Sequence, residues 1–194
     1  MEADPRLRAL VPIADGTEEI EAVCIIDVLR RAGVEVVVAG VGAAGAPTAT
    51  LTFIASRGVR LSADLALEEA VGVVYDAIVL PGGLPGAEHL RDSALLATML
   101  ADQDRSGRLV AAICAAPVVV LQAQGLVRGR GATCFPGLRD RLEPGSFRDS
   151  DIVRDGNLLT SRGPGTAIAF ALAIVEHLCG RAKRDTVAAQ LLVD

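Results

Sequence analysis

The chain has 194 residues, of which 51% are hydrophobic but only 3% aromatic, with a formal charge of −5 and a pI near 5.1. That length suits one domain with a full hydrophobic core, which must be built from Val, Leu, Ile and Ala, the residues of parallel sheets covered by helices. The acidic balance speaks against a general nucleic-acid or membrane-surface binder, and no window is long and apolar enough for a membrane span. The charged residues 1–8 are followed by no signal-peptide pattern, so a soluble cytoplasmic protein is expected.

In chain order, residues 8–13 read as a buried strand. Asp15-Gly-Thr-Glu18 has the form of a capping box, with Asp15 as N-cap and Glu18 three residues on. The helix it opens runs through Ile20, Val23, Ile26 and Leu29 to Arg31, where Gly33 offers a left-handed stop. Residues 34–39 form a second strand, and a β-α-β unit of this kind implies a parallel sheet with a right-handed crossover. A loop of small residues follows over 42–50. Residues 51–54 and 59–61, around Ser56-Arg57-Gly58, predict a hairpin, and 64–70 a helical turn. Residues 73–80 predict a strand ended by Pro81-Gly82-Gly83, then a helix over 87–101.

Leu109 to Ile113 is a short apolar run suited to a central strand. Cys114 follows without a spacer, and Ala115-Ala116-Pro117 opens an apolar segment of helical length, proline being tolerated in a first turn. The cysteine thus sits where a strand turns sharply into a helix N-terminus, comparable to a nucleophile elbow. A helix N-terminus favours an anion, so a lowered thiol pKa is expected. From these residues alone, Cys114 is either a reactive thiol or a small buried residue in a tight turn.

Residues 125–149 are rich in Gly, Arg and Pro, with short strands at most near 132–133 and 152–153. A last strand over 158–160 leads through Ser161-Arg-Gly-Pro-Gly165 to a helix over 166–178 stopped by Gly180, and 184–192 predicts a short final helix. The alternation of strand and helix gives a doubly wound α/β sandwich, whose sites lie at the carboxyl ends of the strands.

Three segments reach that edge: residues 15–21, residues 81–86 and Cys114. Gly83 and Ala115 can present backbone N–H groups beside the cysteine as a two-donor oxyanion hole. Glu21 points back toward the edge if Glu18 is spent on capping; otherwise it is a solvated helix residue.

Three blocks closely resemble the DJ-1 branch of the ThiJ/PfpI superfamily. They are Ala14-Asp-Gly-Thr-Glu-Glu-Ile-Glu21 with Asp27-Val-Leu-Arg-Arg-Ala-Gly33, Leu80-Pro-Gly-Gly83 with Ala111-Ala-Ile-Cys-Ala-Ala-Pro117, and Thr160-Ser-Arg-Gly-Pro-Gly-Thr166 with Phe170-Ala-Leu-Ala-Ile-Val-Glu176. Their order and spacing match from about residue 8 to 190. The resemblance implies a single flavodoxin-like α/β domain over 1–194, with a mostly parallel sheet and helices on both faces. It makes Cys114 the nucleophile and oxidation-sensitive thiol, Glu21 its protonated carboxyl partner, and Gly83 and Ala115 the oxyanion hole. It brings Arg31, Arg57, Gly82, Phe135 and Pro164 to the substrate, with Arg30 and Arg31 near the pocket or a dimer contact. It implies a homodimer, through Val23 and Ile26 of the first helix or the Leu51 hairpin. One position departs: Phe135, in Thr133-Cys-Phe-Pro136, stands where animal members carry a histidine, which weakens histidine-assisted mechanisms.

The activity implied is a glutathione-independent glyoxalase or deglycase acting on α-oxoaldehydes or their early adducts on side chains. A redox sensor and chaperone acting through Cys114 oxidation, and a pseudo-enzyme, are the alternatives. Cys24 and Cys179 read as core thiols and Cys134 as a buried spectator or a second pocket thiol, with no Cys-x-x-Cys pair to suggest a metal or disulfide site. The only histidines, His89 and His177, fall on helices away from Cys114, which disfavours Cys-His proteases and class I glutaminases. No nucleotide fingerprint and no specific nucleic-acid motif is present, so no cofactor is expected.

Overall fold

The computed structural model describes residues 7–43, 46 and 48–193. Nine strands and five α-helices follow in order: β1 (Arg8–Ile13), α1 (Glu19–Arg31), β2 (Glu35–Gly40), β3 (Thr52–Ile54), β4 (Arg60–Ser62), β5 (Leu65–Ala66), β6 (Ala77–Leu80), α2 (Gly86–Asp92), α3 (Ala94–Arg105), β7 (Leu109–Ile113), β8 (Ile152–Asp155), β9 (Leu158–Ser161), α4 (Ala167–Cys179) and α5 (Arg181–Leu191). Seven strands make one sheet in the order β5-β2-β1-β6-β7-β9-β8, parallel throughout except for the antiparallel β8–β9 pair. This is the flavodoxin-like, doubly wound α/β sandwich. The order reverses between β1 and β6, and such a switch point opens a crevice at the carboxyl ends of the strands.

The two-residue period of the strands divides the core. Ala9, Val11, Ile13, Ala77, Val79, Leu109, Ala111 and Ile113 face α1, α4 and α5. Leu10, Ile78, Leu80, Val110 and Ala112 face the layer of α2, α3 and residues 117–121. Every residue of β6 and β7 is buried, so these strands read as continuous apolar runs rather than alternating ones.

Several boundaries differ from the sequence expectation. Glu18, not Asp15, caps α1: its Oε2 accepts the Glu21 N–H at 2.8 Å, whereas Asp15 Oδ1 accepts the Ile54 N–H at 2.8 Å and ties down the hairpin. The strand expected from residue 73 begins only at Ala77, and Val73 and Val74 are exposed. The helix expected over 87–101 is two helices, because the Ser93 hydroxyl accepts the Leu96 N–H and starts α3 anew. The final helix starts at Arg181, directly after Gly180. After Cys114 there is no regular long helix but a five-residue, wide-turned segment, Pro117–Leu121, in which the Gln122 N–H reaches back to the Pro117 carbonyl at 3.0 Å. The hairpin is present as the antiparallel pair β3–β4. Among the described residues no helix is long and apolar enough to cross a membrane.

Candidate active site

The site begins with Cys114, which ends β7 with φ at +65°. A non-glycine residue there is uncommon, and the conformation costs on the order of 1–2 kcal/mol. It is held from both sides: the Cys114 N–H donates to the Ser161 carbonyl of β9 at 3.0 Å, and the Cys114 carbonyl accepts the Phe135 N–H at 2.8 Å. The strand ladder and the 133–136 segment thus pin the elbow, leaving the side chain half-buried at the sheet edge.

The second segment is the turn after β6. A Cβ on Gly82 would stand 2.7 Å from Cys114 Cβ, so only glycine lets the turn touch the elbow. Gly83 has φ at +90°, and a Cβ there would lie 2.4 Å from both the Glu18 nitrogen and the Gly16 oxygen. The third segment, before and into α1, therefore packs backbone against backbone on this turn, and the Glu18 N–H donates to the Gly82 carbonyl at 2.9 Å. The N–H groups of Gly83 and Ala115 lie near enough to the Cys114 sulfur to favour its charged form.

Glu21 is fully buried. Its Oε2 accepts the Gly82 N–H at 2.7 Å, while Oε1 has no hydrogen-bond partner among the described residues. Burial pushes its carboxyl up to about 7, against the Gly82 hydrogen bond and the Cys114 thiol, which favour the charged form. Carboxyl and thiol are close enough to influence one another, but their geometry falls short of a formed hydrogen bond. Burial, then the Glu21 charge, push the Cys114 thiol up to about 12, against the Gly83 and Ala115 N–H groups. This corrects the expectation of a lowered thiol pKa. Burial of the thiol outweighs what the helical turns behind it supply, and an anionic neighbour opposes a second charge. A proton on Glu21 removes that opposition, so the ionisations of the two groups are linked.

A cavity of about 360 Å³ opens over the thiol. Its polar lining is Glu18, Ser56, Arg57 and Cys114, and its remaining lining is Gly83, Leu84, Ala115, Phe135, Gly137, Leu138 and Pro164. Arg57, Phe135 and Pro164 thus meet at the mouth of Cys114, while Gly82 lies behind the elbow. Arg31 does not reach this cavity: it sits in the last turn of α1, about 15 Å along the helix from Glu21, paired with Asp27 at 2.6 Å. Arg30 is likewise occupied, donating to the Val36 carbonyl at 3.2 Å.

Glu19 was not singled out from sequence, yet it shapes the pocket. Its buried carboxylate accepts the Ser56 hydroxyl at 2.7 Å and the Arg57 N–H at 2.8 Å, fastening the hairpin loop to α1. Burial acts to raise its pKa, but these hydrogen bonds prevail and hold it below the usual value. Capping by Glu18 leaves Glu21 to turn inward, but nothing in Glu18-Glu19-Ile20-Glu21 marks Glu19 as buried too.

The model of the DJ-1/PfpI family matches residues 7–177. The chain belongs to the DJ-1/PfpI family. Protein DJ-1 homolog B of Arabidopsis thaliana is 51% identical over 174 residues, covering 90% of this chain and 38% of that protein, so the chain spans well under half that relative's length. Glutathione-independent glyoxalase DJR-1.2 of Caenorhabditis elegans is 36% identical over 189 residues, covering 96% of each chain. The structure of oxidized Toxoplasma gondii DJ-1 matches with a TM-score of 0.92 and 44% identity, covering 96% of this chain and 98% of the other.

Proposed function

We propose that the protein is a glutathione-independent glyoxalase, and by extension a deglycase, in which Cys114 is the nucleophile and Glu21 the general acid–base. The observation that carries this reading is a backbone-strained thiol that lines a cavity, with a fully buried carboxyl carrying an unpartnered oxygen close behind it and the Gly83 and Ala115 backbone beside it. Ionised Glu21 takes the thiol proton as sulfur bonds to the aldehyde carbon of an α-oxoaldehyde. The oxyanion that forms is met by the Gly83 and Ala115 N–H groups, then takes the proton from Glu21 to give the hemithioacetal. Glu21 next removes the hydrogen on that carbon, leaving an enediolate, and returns the proton to the neighbouring carbon while the hydroxyl proton crosses to the second oxygen. The aldehyde carbon is now an oxidised thioester carbon and the ketone carbon a reduced carbinol, so no outside oxidant is needed. Water cleaves the thioester, releasing the α-hydroxy acid and restoring the thiol. Arg57 lines the cavity, its guanidinium donating to the Ser56 carbonyl at 3.3 Å, and suits the product carboxylate. The exposed Ile20, Val23, Ile54 and Val59 favour a homodimer through α1 and the hairpin.

Methylglyoxal consumption and lactate formation without glutathione test this reading. We expect Cys114→Ala to lose at least about 10³-fold, and Glu21→Ala about 10²-fold or more. Wild-type protein no faster than Cys114→Ala would overturn it. Selective oxidation of Cys114 to the sulfinate is the second reading, favoured by the half-exposed thiol and by the oxidized state of the T. gondii relative. Mass gain on Cys114 under mild peroxide, without turnover, would establish that reading instead.

A further inference from the structure

The chemistry above uses Cys114, Glu21 and two amides, and leaves the apolar part of the cavity without a role. Leu84, Ala115, Phe135, Leu138 and Pro164 line it. Leu84 is 51% and Phe135 45% exposed, so this is open apolar surface beside a nucleophile rather than core.

Phe135 is held in place. Its N–H donates to the carbonyl of Cys114 itself at 2.8 Å, and its own carbonyl accepts the Leu138 N–H at 2.8 Å. Its ring is flanked by two glycines. A Cβ on Gly137 would stand 3.1 Å from Cε1 and 3.4 Å from Cδ1, and one on Gly163 would stand 3.5 Å from Cδ2. Bare backbone therefore braces both edges of the ring, while nearly half of its surface stays open. A fixed, exposed aromatic ring is a platform for another flat or apolar group. The ring and Pro164 also border an adjoining hollow of about 200 Å³, so the space continues past them. The main cavity, about 360 Å³, lies in the range of roughly 300–1,000 Å³ that buries drug-sized ligands. Methylglyoxal carries only a methyl group beyond its reacting carbons and leaves most of this apolar space unfilled.

We propose that the site selects α-oxoaldehydes bearing an aryl or branched alkyl substituent, with Phe135 as the specificity-determining residue. The inference rests on the glyoxalase reading and follows the same balance: the aryl α-oxoaldehyde and water give the aryl α-hydroxy acid, with the Cys114 thiol regenerated.

Initial rates of phenylglyoxal to mandelate and of methylglyoxal to lactate, compared for wild type, Phe135→Ala and Phe135→Tyr, test it. An apolar group well seated in a pocket is worth about 10- to 200-fold in kcat/KM. Wild type should favour phenylglyoxal by at least about tenfold, Phe135→Ala should lose that preference chiefly through KM, and Phe135→Tyr should keep it. A wild-type ratio at or below unity, or one unchanged in Phe135→Ala, overturns the proposal. Protection of Cys114 from iodoacetamide by mandelate against lactate reads the pocket without turnover. Mandelate should protect at about tenfold lower concentration, with the advantage gone in Phe135→Ala. Loss of all turnover with that advantage intact sinks the glyoxalase reading and leaves the pocket preference standing, whereas equal protection by both acids overturns the preference whatever the rates.

Discussion

Two cavities on this molecule differ less in size than in what surrounds them. The larger, about 480 Å³, runs along α4 and α5 and is lined by Ile168, Leu172, Glu176 and Arg184 among others. The smaller, about 360 Å³, lies over Cys114 at the carboxyl ends of β6 and β7. Helix faces spend their backbone N–H groups inside the helix, so the α4–α5 groove offers mostly side chains, and its Arg184 is already paired with Asp185 at 2.7 Å. Strand ends and the turns that follow them have N–H groups left over: the Gly82 N–H meets the Glu21 carboxyl, and those of Gly83 and Ala115 lie beside the Cys114 thiol. The difference teaches that what sets the proposed site apart is unspent backbone at strand ends, not volume.

The comparison breaks most sharply at Gly83. Its φ of +90° and the 2.4 Å approach of a Cβ to the Glu18 nitrogen mean that Gly83→Ala must push the turn away from α1. The Gly83 N–H then moves away from Cys114, and on the glyoxalase reading loss of one oxyanion donor costs about 10²–10³-fold in kcat. Lactate formation per folded molecule measures this; a rate near wild type would mean that the turn contributes no donor. The groove gives the opposite pattern. Leu172 is 3% exposed, so Leu172→Ala should cost about 2–5 kcal/mol in urea unfolding and leave kcat/KM of the folded protein unchanged. A drop in kcat/KM at full folding would make the groove part of the catalytic unit.

Much of this contrast is legible in the sequence. The apolar run 109–113 broken directly by Cys114 locates the elbow, and Pro81-Gly82-Gly83 locates the turn that touches it. Periodicity does not reveal which polar residues of a helix N-terminus turn inward, because Glu18, Glu19 and Glu21 look alike until the hairpin loop and the Gly82 N–H select among them. Leu84, Gly137 and Leu138 were also missed as lining residues, since they converge from segments far apart in the chain. Arg31 was expected at the site, but ten residues of helix carry it away.

The smallest and most discriminating test asks what the buried Glu21 costs the fold. Its carboxyl goes from an ordinary 4.5 to about 7 on folding, so between those values the folded chain binds more protons than the unfolded one. Stability therefore falls as pH rises through that window, by about 1.4 kcal/mol per pH unit and about 3 kcal/mol in all. Glu21→Gln carries no charge and keeps an oxygen for the Gly82 N–H. It should resemble wild type near pH 4 and exceed it by about 2–3 kcal/mol near pH 8 in urea midpoint, while losing turnover. Parallel pH curves for the two proteins would show that Glu21 is not buried as a neutral acid. The α4–α5 groove should show no such trade, because filling or emptying it moves stability without touching a proton. A gain in stability bought by losing the reaction would mark the strand-end cavity as the place where this fold holds a charge against its own interest.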